Sequence, residues 1–367
     1  MHTPTIGDSV DVLDTPSMVV DVSIMDQNIA KMMKRFEDTR KHVRPHLKTV
    51  KSPLLAQRLL NAGARGCCVA KVSEAEVMAA AGITDLLITT EIIGTVKIGR
   101  LIDLVMKYPT VKVVVDSIYG ANELNLAMQQ FAPGMKLQVL VEINVGQNRT
   151  GIAPGSEAVG LAKHVGGLKH LRLVGVQGYE GHLQHLAKDE RVRLCRTAME
   201  KLSATVQQIK DEGLTLDIVT TGGTGTCEIC AEFDCVTEVQ PGSFVFMDAA
   251  YRNAIGTTYG NALSILSTVI SRPATDRAVI DAGLKSLSND SGNAEPKAYS
   301  SMRYRPAGDE HGILEWHDLD LRLDIGTRLE LIPSHIDTTV NLFDVYYGIR
   351  NGIIEAIWPV SARGKVQ

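Results

Sequence analysis

The stretch VRPHLKTVKSPLLAQRLLNAGARGCCVAKVSEAEVMAAAG, residues 43–82, holds two copies of one pattern. A short apolar run, VRPHL (43–47), leads into an amphipathic segment, SPLLAQRLLNAG, that closes on Gly63. A second run, RGCCVA (65–70), leads into SEAEVMAAAG, which closes on Gly82. The short runs predict strands, the longer segments predict helices, and glycine just past a helix suits a cap. The pattern continues outward through DLLITT (85–90), VKVVV (111–115), KLQVLVEI (136–143), LRLVGVQGY (171–179), TLDIVTT (215–221) and VTEVQPG (236–242). Helical segments such as GANELNLAMQQF and DERVRLCRTAMEKLSATVQQIKDEG lie between them. Eight strand-then-helix units in about 220 residues fit a parallel (β/α)8 barrel. A doubly wound open sheet is the alternative, and eight units of even size favour closure.

The texture changes near residue 255. NALSILSTVISRP, DRAVIDAGL, TRLELIP, VYYGIRNG and IIEAIWPVSA read as strands with short turns, and the Asn-Gly of residues 351–352 is a hairpin signal. The expected class is α/β, a barrel at 24–254 followed by an all-β C-terminal domain at 255–367. Residues 1–23 go with that second domain, because SMVVDV (17–22) reads as one of its strands.

The length of 367 residues allows two domains. A net charge of −4 and 5% aromatic content give no electrostatic or stacking basis for nucleic-acid binding. No apolar run approaches the roughly 18 residues a membrane span needs, and the N-terminus lacks a basic segment followed by an apolar one. A cytoplasmic protein is expected. Cys67 and Cys68 sit in an apolar run and read as buried thiols. Cys227 and Cys230 have C-x-x-C spacing without the second pair that a zinc ribbon needs, so they read as reduced thiols, like Cys195 and Cys235.

Within RPHLKTVK (44–51), Lys48 directly follows the first strand, where a barrel keeps its active residues. Partly desolvated and near other cations, such a lysine has a lowered pKa and can form a Schiff base with an aldehyde. A solvated basic face is the plainer account from spacing alone. Two other loops favour chemistry. TTGGTGT (220–226) follows the seventh strand and offers Gly223, Thr224 and Gly225, whose turn is expected to expose N–H groups to a phosphate. QPGSF (240–244) follows the eighth and offers Gly242 and Ser243. Barrels commonly bind phosphate with the loops after strands seven and eight, so these loops and a mouth lysine suggest pyridoxal phosphate (PLP). Arg149, in NVGQNRTG (144–151) after strand five, would keep a pyridine nitrogen unprotonated, or else form a surface ion pair. In PSHIDTT (333–339), His335 and Asp337 stand two apart and would face one side of a strand. Imidazole plus carboxylate suits a divalent ion such as Mn²⁺, Mg²⁺ or Co²⁺, although H-x-D alone is a weak signal. GDEHG (308–312) is a second His/carboxylate cluster.

Taken together, DTPSMVVDV, RPHLKTVKSP, GGTGT, GSFVFMDAAY, DAGLKS, DEHG, PSHIDTTVNLFD and WPVSARG resemble the D-threonine aldolase and D-serine dehydratase-like family of fold-type III PLP enzymes. The resemblance runs along nearly the whole chain. It implies an alanine-racemase-like barrel, a β-domain, and a homodimer whose active sites borrow residues from the partner. It also implies that Lys48 is the Schiff-base lysine and that Arg149 faces the pyridine ring. Tyr179, Thr224, Gly242, Ser243 and Tyr251 would hold the cofactor. His185 would be catalytic, His335 and Asp337 would bind the metal, and Asp309 would be an acid near it. The chain departs from the pattern at Ala70, where relatives often have Gln, at Thr221, where they have Gly, and at Glu180, where they have His or Gln.

The family's H-x-D metal pair resembles the aldolases and its H-x-C pair the dehydratases. Ile336 followed by Asp337 therefore implies a PLP- and metal-dependent aldolase, with Mn²⁺ as the first choice of metal. Its substrate would be a D-3-hydroxy amino acid of the D-threonine type, cleaved to glycine and an aldehyde. A dehydratase acting on D-3-hydroxyaspartate or D-serine is the alternative. A non-catalytic PLP carrier would lack the β-domain.

Overall fold

The computed structural model describes residues 3–318 and 321–367. The chain divides into two compact units. The barrel unit comprises Met33–Lys48, Ala56–Gly242 and Lys365–Gln367, and the sheet unit comprises Met1–Met32, Thr49–Leu55 and Ser243–Gly364.

The barrel unit contains all eight expected strands: His42–Val43, Cys67–Val69, Leu86–Ile88, Lys112–Val115, Leu137–Glu142, Leu171–Gln177, Ile218–Thr221 and Glu238–Val239. Every pairing between neighbours is parallel. Pro45–Leu47 closes the ring. Cys68 N donates to Pro45 O at 2.8 Å and Leu47 N to Cys68 O at 2.8 Å on one side. On the other, Arg44 N donates to Val239 O at 2.8 Å. Pro45 has no N–H to give, and the ladder uses only its carbonyl. Cys68, Leu87, Val114, Leu140 and Val174, one from each of five successive strands, form a buried apolar cluster with Ile218 of the next strand against it.

Because the strands are parallel, their N-terminal ends form one rim. There Arg44, 2% exposed, makes a two-pronged pair with Glu238 (Nε–Oε2 2.8 Å, Nη2–Oε1 2.8 Å) and a third contact with Asp85 (2.9 Å). Lys112 Nζ completes the network at 2.7 Å from Asp85. A Cβ on Gly66, which adopts φ +68°, would lie 2.1 Å from the Arg44 guanidinium, so this position is closed to any side chain. The basic run at 41–51 is therefore partly structural. Arg44 anchors this rim, and Lys41 donates to the carbonyls of Phe233 (2.8 Å) and Val236 (2.6 Å).

Among the described residues the sheet unit is built on nine strands. Ser17–Asp21 pairs antiparallel with Leu263–Ala274 (Val19 opposite Ser264) and parallel with Val345–Arg350 (Val19 opposite Tyr347), as its reading as a strand of this sheet required. The Asn-Gly hairpin forms as expected. Asn351 at φ 51° and Gly352 at φ 77° join Val345–Arg350 to Ile353–Pro359, with Arg350 opposite Ile353. Leu13, Val19, Leu266 and Ile354 pack as one buried cluster of this unit. Two short helices, Ala249–Ile255 and Ile336–Val340, interrupt the strands. Among the described residues no helix is long and apolar enough to cross a membrane.

Candidate active site

The C-terminal strand ends gather the barrel residues of chemical interest on the rim opposite Arg44. Lys48 is half-buried just beyond the first strand, and its N–H lies 3.3 Å from His46 Nδ1. The other ring nitrogen of His46 is 3.0 Å from Thr89 Oγ1, past the end of the third strand. The lysine thus leaves the ring from a backbone fixed by strand pairing on both sides.

After the fifth strand, the loop 144–151 is wound around Asn144. Its Oδ1 accepts from Gly146 N (3.0 Å) and Asn148 N (3.1 Å), and Gly151 N donates to Asp116 Oδ2 at 3.2 Å. Arg149 projects from this loop with its guanidinium carbon 5.8 Å from the centre of the Tyr179 ring. Two residues implied by the resemblance are therefore partners through a cation–π contact. His185 is exposed, beyond the short helical turn Gly181–Leu183.

The loop after the seventh strand differs from its expected form. Gly223 N donates to Thr226 Oγ1 (3.0 Å) and Gly225 N to Gln184 Oε1 (2.9 Å), so these N–H groups turn inward, toward buried side chains. Thr224 stands between them, 6% exposed. Behind the loop, Glu180, Cys195 and Cys230 bring possible metal-binding atoms within 4.8 Å of one another. Both Glu180 oxygens already accept hydrogen bonds, and burial pushes the Cys230 thiol well above its ordinary value. That set of donors does not suit a metal. Cys227 is equally buried, and all six cysteines are free.

A residue that sequence reasoning missed ends the fifth strand. Glu142 is 4% exposed, and its Oε2, like Oε1 of the neighbouring Glu91, is buried without a hydrogen-bond partner among the described residues. Burial first, and Glu91 second, push its carboxyl up to about 9, against the opposing pull of the Thr150 hydroxyl (3.1 Å) and of Arg149. A charged residue after the apolar run VLV, at the catalytic end of a barrel strand, was the available signal.

In the sheet unit, His335 and Asp337 do not lie on a strand. His335 is the N-cap residue of the helix Ile336–Val340, and Asp337 lies in its first turn, where a carboxylate is favoured by the helix dipole. The pair still belongs to one cluster. Asp290 Oδ2 sits 2.6 Å from His335 Nδ1, and Asp290 Oδ1 accepts from Thr338 (2.8 Å) and Ser288 (2.7 Å). Burial pushes the Asp290 carboxyl up, but these hydrogen bonds outweigh it and hold the group well below the usual carboxylate range. With Nδ1 engaged, Nε2 is the ring nitrogen left to face an ion. Asp248 caps the helix Ala249–Ile255 through Tyr251 N (2.8 Å) and also accepts from Ile336 N (3.1 Å). Burial pushes it up to about 6. Nothing in the polar run SNDSGN (288–293) marked Asp290 in advance.

Ser243, Tyr251 and Asp309 lie in the sheet unit. Ser243, 7% exposed, opens the turn Ser243–Val245, and Tyr251 lies 8% exposed in the helix that Asp248 caps. Asp309 is exposed on the turn between the strands Arg303–Pro306 and Gly312–Glu315. Its carbonyl accepts from Lys285 N at 2.9 Å, and a Cβ on Gly283 would lie 2.6 Å from that same oxygen. This close approach joins DAGLKS to DEHG.

The barrel's donor set fits PLP. An amine, a guanidinium and a hydroxyl-bearing glycine loop match an aldehyde, a ring nitrogen and a phosphate ester. An imidazole nitrogen and a carboxylate likewise suit a divalent ion.

Residues 20–250 match the family model for the alanine racemase N-terminal domain, and residues 262–349 match that for a serine dehydratase domain. A D-threonine aldolase of Arthrobacter sp. is 37% identical over 362 residues, covering 98% of this chain and 95% of the relative. A 3-hydroxy-D-aspartate aldolase of Paracoccus denitrificans is 36% identical, covering 96% and 93%. The crystal structure of D-threonine aldolase from Filomicrobium marinum superposes with a TM-score of 0.96 at 37% identity over 100% of both chains. D-threo-3-hydroxyaspartate dehydratase from Delftia sp. HT23 superposes at 0.86 with 28% identity, over 96% of this chain and 98% of that one. An alanine-racemase-type barrel and a serine-dehydratase-type sheet domain, matched from end to end, place this chain in the D-threonine aldolase and D-serine dehydratase-like family of PLP-dependent lyases.

Proposed function

We propose that the chain is a PLP- and divalent-metal-dependent aldolase that cleaves D-3-hydroxy amino acids of the D-threonine type to glycine and an aldehyde. The observation that carries this reading is the His335–Asp337 pair, with Asp290 on His335 Nδ1. Its second ligand is a carboxylate rather than a thiolate, the pattern that goes with the aldolases in this family.

In this reading Lys48 holds the cofactor through its amine, and Arg149, braced on Tyr179, faces the ring nitrogen. Thr224, Gly242, Ser243 and Tyr251 hold the phosphate, with Gly223 and Gly225 shaping its loop. PLP, when bound, supplies an electron sink for the bond broken at Cα. His335 Nε2 and the Asp337 carboxylate hold the metal, Mn²⁺ for preference, which would supply Lewis acidity toward a β-hydroxyl oxygen. His185 and Asp309 are assigned to proton movement and to orienting the substrate. The reading extends to a cytoplasmic homodimer whose active sites draw on both subunits.

The Delftia dehydratase, 33% identical over 92% of this chain, supports a second reading in which the hydroxyl leaves and a keto acid forms. One experiment separates the two. The holoenzyme with Mn²⁺ is incubated in turn with D-threonine, D-serine and D-3-hydroxyaspartate, and glycine is resolved from keto acid. Glycine and acetaldehyde from D-threonine support the aldolase, with activity lost on chelation and restored by Mn²⁺. Keto acid without glycine overturns it in favour of the dehydratase, and turnover by metal-free enzyme at the full rate removes the metal from the reaction.

A further inference from the structure

We propose that Glu180 is the positioning residue of the glycine-rich loop after the seventh barrel strand, and that it clamps the loop in the shape that receives a phosphate ester. This rests on the reading that the loop takes the phosphate of PLP.

Glu180 is fully buried, yet both carboxylate oxygens are occupied by donors. Oε2 accepts from Thr221 Oγ1 at 2.8 Å and from Gly222 N at 3.3 Å. Oε1 accepts from Thr226 Oγ1 and from Gln184 Nε2, the latter at 3.3 Å. The side chains that meet Glu180 hold the rest of the loop in turn. Thr226 Oγ1 accepts from Gly223 N at 3.0 Å and from Gln184 Nε2 at 2.8 Å, and Gln184 Oε1 accepts from Gly225 N at 2.9 Å. The N–H groups of Gly222, Gly223 and Gly225 are thus fixed directly by Glu180 or through one intervening side chain. A Cβ on Gly223 would lie 2.6 Å from Gln184 Oε1, and one on Gly225 2.6 Å from Gln184 O, so the glycines let the loop close onto the clamp.

Two departures from the family pattern become one interaction. A buried carboxylate is costly unless donors surround it. Glycine at 221 could not give the hydroxyl that Thr221 gives, and His or Gln at 180 would not require it. With three loop amides turned toward the clamp, Thr224 is the residue set at the crest of the loop to meet a phosphate. The carboxylate's charge opposes that of a phosphate dianion. A clamp acting by charge would therefore weaken binding, whereas one acting by order strengthens it.

The test uses the full-length protein stripped of PLP and titrated, by absorbance and fluorescence, with PLP and with pyridoxal, which lacks the phosphate. Wild type is expected to prefer PLP strongly. Glu180→Gln and the isosteric Thr221→Val should each cut that preference about tenfold, the loss expected for one hydrogen bond to a charged group. Thr221→Ser, which keeps the hydroxyl, should behave as wild type. The Glu180→Gln/Thr221→Val double variant should lose less than the two single losses combined, because both remove the same contact. If Glu180→Gln does not fold, Thr221→Val and Thr221→Ser carry the comparison. An unchanged or increased preference for PLP in Glu180→Gln, or in Thr221→Val, overturns the clamp. A wild type that binds PLP and pyridoxal equally overturns the phosphate-loop reading itself, and that result is distinct because it appears before any variant is made.

Discussion

Replacing Glu142 by glutamine should change how stability depends on pH, with a sign the structure fixes. The Glu142 carboxyl, pushed up to about 9 by burial and by Glu91, binds its proton more tightly in the folded chain than in the unfolded one, where its ordinary value is 4.5. Between those values the native state holds one proton more than the unfolded state. Stability is therefore fully present below about pH 4.5 and is lost as pH rises through the folded value. One proton corresponds to about 1.4 kcal/mol per pH unit, so the ceiling between pH 6 and pH 8 is about 3 kcal/mol. Glutamine keeps the shape and a hydrogen-bond donor for Glu91 but does not titrate. Urea denaturation of wild type and Glu142→Gln at pH 6, 7 and 8 should give curves that diverge steadily, with wild type losing more as pH rises. Glu91 is the second cause of the shift after burial, so Glu91→Gln should flatten the wild-type profile in part. Profiles for wild type and Glu142→Gln that stay parallel across this range would refute the raised carboxyl of Glu142.

The other expectations are simpler to state. Borohydride reduction of the holoenzyme, followed by peptide mapping, should find the cofactor on Lys48; a label on Lys51 or Lys71 would remove the assignment. Arg44→Met leaves Glu238 buried without its partner and should cost about 3–5 kcal/mol, read by chemical denaturation, with a cost under about 1 kcal/mol counting against it. Asp290→Asn should weaken Mn²⁺ binding about tenfold in a calorimetric titration, because the amide no longer fixes the His335 ring as a carboxylate does. Unchanged affinity would mean that Asp290 does not orient that ring.

The barrel was legible because its signal repeats. Eight apolar runs with helical segments between them leave little freedom once one β/α unit is recognised; seven strands formed within the residues expected for them, and the first, His42–Val43, begins one residue before its run and keeps only Val43 of it. The second sheet was legible for local reasons, since Asn351-Gly352 specifies its own hairpin and SMVVDV lies before the first barrel unit. A spacing of two puts His335 and Asp337 on one face only in a strand, and this segment is not a strand. Ser334 and His335 instead lead from the strand Arg328–Ile332 into the helix Ile336–Val340, with Asp337 in its first turn. Propensity over five residues cannot decide between those outcomes, since nearly every contact that stabilises so short a helix comes from elsewhere in the fold.

The site was legible only where one residue carries one role. Lys48, Arg149 and the glycine loop stand out as candidates in the sequence because they follow strands at one end of the expected barrel and occur together. The Glu91–Glu142 pairing and the Asp290–His335 contact are invisible in one dimension, since each joins residues about 50 positions apart that mean little singly. Glu180 and Thr221 are the sharpest case. They lie 41 residues apart and read as unrelated departures from a family pattern. Closing the barrel sets the sixth strand against the seventh, with Gln177 opposite Thr220, and brings the residues just beyond those positions to the same rim. A comparison that scores positions one at a time counts two losses of a contact. The three-dimensional arrangement instead has a carboxylate that needs a donor and a hydroxyl that supplies it, so a substitution at either position changes what the other is for.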